Sequence, residues 1–126
     1  MLKSILDEDL HGDGVGVAEI SDAEERLGVV FSKEYREYLL GVGIGAVDGH
    51  EFTGITKTKR LNVVDVTNEE RKRIPSISKS YYVVEQTNYD GVVVWQDKDG
   101  NVYESYETGE VKVVAKSVED YINITE

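Results

Sequence analysis

The feature that most restricts the fold is a series of four short runs rich in Val, Tyr and Trp in the second half of the chain. They occupy residues 81–87, 92–96, 101–106 and 111–115. Their three connections contain Asn-Tyr-Asp-Gly, Asp-Lys-Asp-Gly and Glu-Thr-Gly-Glu, which is the chemistry of tight hairpin turns. The sequence therefore predicts an antiparallel meander of four consecutive strands.

Helical signals lie on both sides of this meander. A capping box at residues 21–24 predicts a helix that ends at Gly28. Ser32 is expected to cap a second helix that runs to Leu40, and Ser117 a last helix after the meander. Helices first, a meander next and a terminal helix last indicate an α+β fold, with the helices on one face of one sheet.

The rest of the chain gives weaker signals. Residues 1–10 carry apolar side chains at helical spacing, and residues 50–55 and 61–66 are interpreted as strands. A second capping box at residues 67–70 predicts a short helix that ends before Pro75, because the residue before proline leaves helical geometry. No linker divides the chain, so we expect one domain over residues 1–126, with residues 1–17 as an N-terminal extension.

A glycine-rich stretch separates the helical part from the strands. Gly41, Gly43 and Gly45 invite a phosphate-loop interpretation, but they follow a helix and precede a strand, which is the reverse of the phosphate-binding order. A helix C-terminus also repels anions. The stretch is therefore interpreted as a helix-to-strand joint, with Gly41 as the left-handed residue that ends the helix.

The charge of the chain limits its partners. Fourteen Lys and Arg residues against 25 Asp and Glu residues give a net charge of −11 at pH 7. Phosphate backbones and anionic lipid repel such a chain, so we expect no direct binding to nucleic acid or to a membrane, whereas a basic protein is attracted. The alternative is that the acidic surface only keeps the domain in solution.

Composition also restricts compartment and chemistry. The chain has no cysteine, and it becomes acidic at Asp7 before any apolar run of signal-peptide length. We therefore expect it to stay in the cytoplasm. His11 and His50 are the only histidines, and the oxygen-rich segment 97–101 has its glycine at the fourth position rather than the sixth of a calcium loop. No carboxylate pair stands out, so no catalytic residue, metal or cofactor is predicted.

Aromatic and acidic residues are concentrated in the meander. The chain has eight Tyr, one Trp and two Phe residues. Tyr and Trp beside carboxylates suit a protein interface, where such rings act as anchors, although tyrosines that only cover a sheet edge fit equally well. The candidate partner-binding residues are Asp48, Glu85, Tyr89, Asp90, Trp95, Tyr103, Glu104, Tyr106 and Glu107.

The order of these segments resembles the SUKH superfamily. That family has a helix ending in Leu-Gly, a second helix with an early tyrosine, a glycine-rich turn, and a strand with an aromatic residue before Gly-Ile. The matching segments here are residues 23–29, 32–40, 48–49, 51–55, 63–67, 82–85, 97–104 and 117–121. Ser32 stands where the family often has proline, and the most similar group is the YobK-type antitoxins.

The resemblance implies a non-catalytic α+β domain that binds another protein. The family includes bacterial immunity proteins and a fungal regulator of cell-wall synthesis. By this resemblance we expect an immunity protein that neutralises a cognate secreted toxin through the toxin's basic nuclease domain. A regulatory or scaffold domain that binds a cellular protein is the alternative, and an enzyme with a carboxylate pair is a third hypothesis.

Overall fold

A computed structural model describes residues 13–47 and 49–125. The predicted helix at residues 1–10, His11 and the candidate Asp48 lie outside the described residues. The described helices are α1 (Val17–Leu27), α2 (Lys33–Gly41), α3 (Val63–Arg73) and α4 (Val118–Thr125).

The strands confirm the predicted meander and the α+β class. The strands are β1 (Ala46–Val47), β2 (His50–Glu51), β3 (Tyr82–Gln86), β4 (Val93–Gln96), β5 (Val102–Ser105) and β6 (Val111–Ala115). The last four form one antiparallel sheet in the order β3-β4-β5-β6, and β1 and β2 form a separate two-stranded hairpin. Only two residues of the predicted strand at 50–55 are regular, and isolated bridges join Phe52 to Glu85 and Gly54 to Asn62.

The predicted helix ends are mostly confirmed. Ser32 caps α2, because its hydroxyl accepts a hydrogen bond from the Tyr35 amide at 3.0 Å. Gly28 ends α1 in the left-handed conformation, with φ 67°. The predicted start of α1 is wrong, since Gly16 is the cap and Glu19 binds its amide at 3.2 Å. Glu24 instead accepts from the Phe31 amide at 2.8 Å.

The strand predicted at residues 61–66 is also wrong. A 3-10 turn, Lys59–Leu61, leads directly into α3. The Asn62 side chain caps α3 by accepting from the amides of Val64 at 3.0 Å and Asp65 at 3.4 Å. This cap and the burial of Val63 and Val66 on one helical face outweigh the β preference of the three valines in the segment.

The glycine stretch is a helix-to-strand joint, as predicted, but the left-handed residue is Gly43 (φ 72°) rather than Gly41. The Gly43 carbonyl accepts a hydrogen bond from the Ile55 amide at 3.1 Å. A Cβ atom at Gly54 would overlap that carbonyl. The glycines therefore allow two backbone segments to approach closely, and that approach explains the stretch without a ligand.

Two hydrophobic clusters lie on opposite faces of the sheet. One contains Tyr82 and Val94 with residues of α1, α2 and α4. The other contains Val83 and Trp95 with Val66 of α3 and the segment after it. Successive strand residues point to opposite faces, so the expectation that helices cover only one face is wrong. The α3 helix and the chain after it cover the second.

Candidate protein-binding surface

Two loops meet at one end of the meander. The β3–β4 loop and the β5–β6 loop lie at the same end of the sheet, because consecutive strands are antiparallel. The glycine of the first loop contacts an acidic side chain of the second: a Cβ at Gly91 would overlap the side chain of Glu107. The two loops therefore form one continuous surface.

The β3–β4 loop holds an exposed tyrosine in an unusual backbone conformation. Asn88 (φ 56°) and Asp90 (φ 51°) are the non-glycine residues with positive φ in the described part of the chain. Between them Tyr89 is 72% exposed, and its amide donates to the Thr87 hydroxyl at 3.2 Å. Left-handed residues cost free energy, and such conformations are concentrated at functional sites.

Acidic side chains lie in the β3–β4 loop and next to it. Asp90 and Glu107 are exposed. The half-buried Tyr106 donates its hydroxyl hydrogen to Glu104 at 2.8 Å, and this hydrogen bond raises the pKa of Tyr106. The Lys112 ammonium lies 5.9 Å from the centre of the Tyr106 ring. We call the group Tyr89, Asp90, Glu104, Tyr106 and Glu107 the meander-end surface.

The comparisons with known proteins identify the family. A family model, SUKH_5, described as SMI1-KNR4 cell-wall, matches residues 3–125. The chain belongs to the SUKH family. Comparison with curated proteins gave no match. A crystal structure of a protein from Pseudomonas syringae pv. tomato is similar, with a TM-score of 0.72 and 14% identity, over 96% of this chain and 89% of that chain. At that identity the similarity shows the fold alone.

Two candidate partner-binding residues of this SUKH chain are buried. Trp95 has no exposed surface, and its indole N–H donates to the Ser105 hydroxyl at 2.9 Å. Glu85 is 4% exposed. Both lie on strands covered on their two faces, so neither side chain is available for direct contact with a partner.

A third candidate, Tyr103, lies at the other end of the meander. Its hydroxyl donates to Asp97 at 2.8 Å, and its ring stacks on Tyr81 with the ring centres 4.3 Å apart. The structure thus brings five of the nine candidates together in the meander-end surface and separates three from it; the ninth, Asp48, is outside the described residues.

A buried polar group around Glu85 was not predicted from the sequence. The carboxylate lies 3.0 Å from His50 Nδ1 and accepts from the Tyr121 hydroxyl at 2.8 Å. Burial raises the pKa of Tyr121, and the Glu85 charge raises it further. The three residues are distant in sequence, so only the folded chain shows the group. His50 is enclosed by Phe52 and Tyr121, with 14% of its side chain exposed, which suits a structural link better than proton transfer to a substrate.

Basic residues collect near α3, but carboxylates balance them. A cleft of about 630 Å³ between the 3-10 turn and α3 is lined by Arg60, Lys72 and Arg73. Arg60 pairs with Glu51, Lys72 with Glu69 and Arg73 with Glu70, at N···O distances of 2.6, 3.8 and 2.7 Å, respectively. Lys59 and Asp65 line the cleft as well, so basic and acidic side chains in and beside it are equal in number and it offers no excess positive charge to an anion.

The described residues contain neither a candidate metal site nor a candidate membrane-spanning helix. Within residues 13–47 and 49–125, no three Asp, Glu or His side chains are placed to hold one metal ion. None of the described helices is both long enough and apolar enough to cross a membrane. SUKH domains are in general non-catalytic and bind other proteins.

Proposed function

We propose that this SUKH protein is an immunity protein that binds and neutralises a cognate secreted toxin, at the toxin's nuclease domain, through the meander-end surface. The observation that supports this most directly is that an exposed tyrosine and two exposed carboxylates lie on two loops in contact. Asp90 follows Tyr89 in the first loop, and the Glu107 side chain of the second loop lies against Gly91.

The charge of this surface suits a nuclease. An enzyme that grips phosphate presents basic side chains, and carboxylates can occupy the same cleft in place of nucleic acid. With a net charge of −11, the protein attracts such a domain from a distance and raises the association rate. That rate should fall as salt is added, because salt screens exposed charges.

The loop conformation suits a tight interface. Aromatic residues that are already fixed in their bound position lose little entropy when a partner binds. Asn88 and Asp90 hold the backbone on both sides of Tyr89 in a left-handed conformation, so the ring is presented by a loop of defined shape. In this proposal Tyr89 is the anchor and the carboxylates provide charge complementarity.

The proposal predicts a toxin gene beside the gene of this chain, and the test uses the nuclease domain which that gene encodes. We expect the purified protein to abolish the nuclease activity of the toxin domain at equimolar dose in vitro. The same protein should block that activity in the cytoplasm of the producing cell. The double variant Asp90→Lys/Glu107→Lys should weaken binding at least about tenfold, because like charges then face each other. Glu25→Lys/Glu37→Lys makes the same charge change on exposed positions of α1 and α2 and is the matched control.

Two outcomes would contradict the proposal. Full nuclease activity at equimolar dose would exclude neutralisation of that toxin. Equal loss of binding in the two double variants would show that only overall charge matters, not the meander-end surface. If the wild-type protein binds a cellular protein and no toxin, the scaffold alternative takes its place.

A further inference from the structure

The chain contains four Asp-Gly pairs, at residues 13–14, 48–49, 90–91 and 99–100. In such a pair the backbone nitrogen of the glycine can attack the carboxyl carbon of the aspartate, because no glycine side chain blocks the approach. The reaction requires an accessible carboxyl group and an amide that is free to rotate. The fold therefore determines which of the pairs reacts.

The pair Asp90–Gly91, in the β3–β4 loop, meets both conditions. Asp90 is exposed, and within the described part of the chain neither its carboxylate nor the Gly91 amide has a hydrogen-bond partner. The next amide, that of Val92, is by contrast bound to the Tyr89 carbonyl at 3.0 Å. Both reacting groups of this pair are therefore free in the folded protein.

The pair Asp99–Gly100, at the other end of the meander, is held in place. The Gly100 amide donates to the Asp97 carbonyl at 3.1 Å, and Gly100 is buried. The Asp99 amide is also bound, to the Asp97 carboxylate at 2.9 Å. The Gly100 hydrogen bond must break before its nitrogen reaches the Asp99 carboxyl carbon, so this pair should react about tenfold more slowly than Asp90–Gly91.

The pair Asp13–Gly14 is restrained by packing. A Cβ atom at Gly14 would overlap the Leu40 carbonyl, and a Cβ atom at Gly43 would lie 3.2 Å from the Gly14 Cα atom. The backbone of Gly14 is thus enclosed by two other segments, which hinders the rotation that the reaction requires. Asp48, of the fourth pair, lies outside the described residues.

We propose that Asp90 is a site of spontaneous covalent modification, at which the Asp90–Gly91 link rearranges through a succinimide to isoaspartate. The Gly91 nitrogen forms a bond to the Asp90 Cγ atom and loses its proton, and one carboxyl oxygen leaves as water. A water molecule then opens the ring. Cleavage of the new bond restores aspartate, whereas cleavage of the original peptide bond leaves the chain linked through Cγ. The second step takes up the water that the first releases, so no enzyme or co-reactant is needed.

The left-handed backbone of Asp90 gives the products a stereochemical signature. Asp90 has φ 51°, a region that costs free energy for an L residue and that its D mirror image prefers. The succinimide Cα proton is acidic, and its loss and return on the other face produce the D form. Asp99 is not left-handed, so the share of D products should be larger at Asp90 than at Asp99.

Isoaspartate at residue 90 also changes the meander-end surface. It lengthens the backbone of the β3–β4 loop by one methylene and moves Gly91 relative to the Glu107 side chain that lies against it. This consequence rests on the proposed function: if the meander-end surface binds the toxin, the modified protein should bind it at least about tenfold more weakly.

Incubation of the purified protein at physiological pH and temperature, followed by peptide mapping, tests the modification. Isoaspartate is detected by labelling with an isoaspartyl methyltransferase and S-adenosylmethionine. Asp90 should accumulate it about tenfold faster than Asp99 in the folded protein, and at a similar rate in urea, where the fold no longer protects either pair. Asp90→Glu keeps the charge but would require a six-membered ring, so no product should form in that loop.

The proposal is overturned if Asp90 forms no isoaspartate in the folded protein, or if Asp99 forms it there as fast as Asp90. Titration of fresh and incubated protein with the toxin domain is a separate measurement. If protein that carries isoaspartate at residue 90 binds the toxin as tightly as fresh protein, the modification stands and the assignment of the meander-end surface fails.

Discussion

The two ends of the meander contain similar residues and use them differently. At the β4–β5 end, the Asp97 carboxylate accepts hydrogen bonds from the amides of Asp99 and Asn101, from the Asn101 side chain and from the Tyr103 hydroxyl. At the meander-end surface, Tyr89, Asp90 and Glu107 are exposed. Tyrosine, carboxylate and glycine occur at both ends.

The difference teaches that the hydrogen bonds a carboxylate already accepts, rather than composition, separate a structural turn from the proposed binding surface. Four donors at 2.8–3.1 Å fill the lone pairs of Asp97, so this carboxylate has little capacity left for an external cation. Exposed carboxylates keep that capacity. The two ends should therefore respond to substitution in opposite ways, one in stability and the other in binding.

The largest expected effect is at the β4–β5 end, where Asp97 already accepts four hydrogen bonds. Asp97→Ala leaves the four donors without their acceptor and should lower the free energy of unfolding by about 2–3 kcal/mol. Urea denaturation monitored by tryptophan fluorescence measures this. Asp90→Ala, the matched change at the other end, should alter stability by less than about 0.5 kcal/mol. Equal losses at both ends would remove the distinction.

The second effect concerns toxin binding. Tyr89→Ala removes the proposed anchor and should raise the dissociation constant for the toxin roughly thirtyfold, or about 2 kcal/mol, with stability nearly unchanged. Titration calorimetry with the toxin domain provides the measurement. Tyr103→Phe is the control: it should lose about 1 kcal/mol of stability through its hydrogen bond to Asp97 and leave binding intact. A Tyr89→Ala protein that binds like wild type would contradict the assignment of the anchor.

Local signals explain how much of the fold could be predicted from the sequence. Hairpin turns, the Ser32 cap and the end of α1 at Gly28 depend on residues within a few positions of one another, and all three were predicted correctly. A helix ending before Pro75 was predicted, but its start was placed at residues 67–70 instead of Val63, because the true cap, Asn62, precedes a run of β-branched residues that favours a strand. There the burial of one helical face decided the outcome.

The site was harder to predict, because exposure depends on tertiary contacts. Trp95 and Tyr89 are six residues apart in the same meander, yet Trp95 is fully buried and Tyr89 is 72% exposed. Sequence alone does not show that α3 covers the second face of the sheet. The buried contact of Glu85 with His50 and Tyr121 joins residues 35 and 36 positions apart, which no local pattern indicates.

A smaller effect separates the two glycines of the loops in contact. Gly91 (φ 69°) and Gly109 (φ 87°) are both left-handed, so alanine at either should cost about 1 kcal/mol of stability. A Cβ at Gly91 also displaces the Glu107 side chain, whereas nothing lies within 4 Å of a Cβ at Gly109. Gly91→Ala should therefore weaken toxin binding and Gly109→Ala should not. The contact between the loops is irrelevant to binding if both variants bind equally.

The smallest expected effect is a dependence of stability on pH that comes from Asp97 at the β4–β5 end. Partial burial raises the pKa of Asp97, but hydrogen bonds from Asn101, Tyr103 and the Asp99 amide outweigh it and lower the pKa below its usual 3.8. A carboxyl group with a lowered pKa in the folded state stabilises the protein fully above its unfolded pKa, and this contribution is lost as pH falls through the folded value. Unfolding free energies of wild type and Asp97→Asn should therefore converge below pH 3.8 and differ by a constant amount near neutrality. If wild type and Asp97→Asn showed the same pH dependence across this range, the hydrogen bonds at Asp97 would not stabilise its charged form, and the two ends would not differ in the way that their hydrogen bonds require.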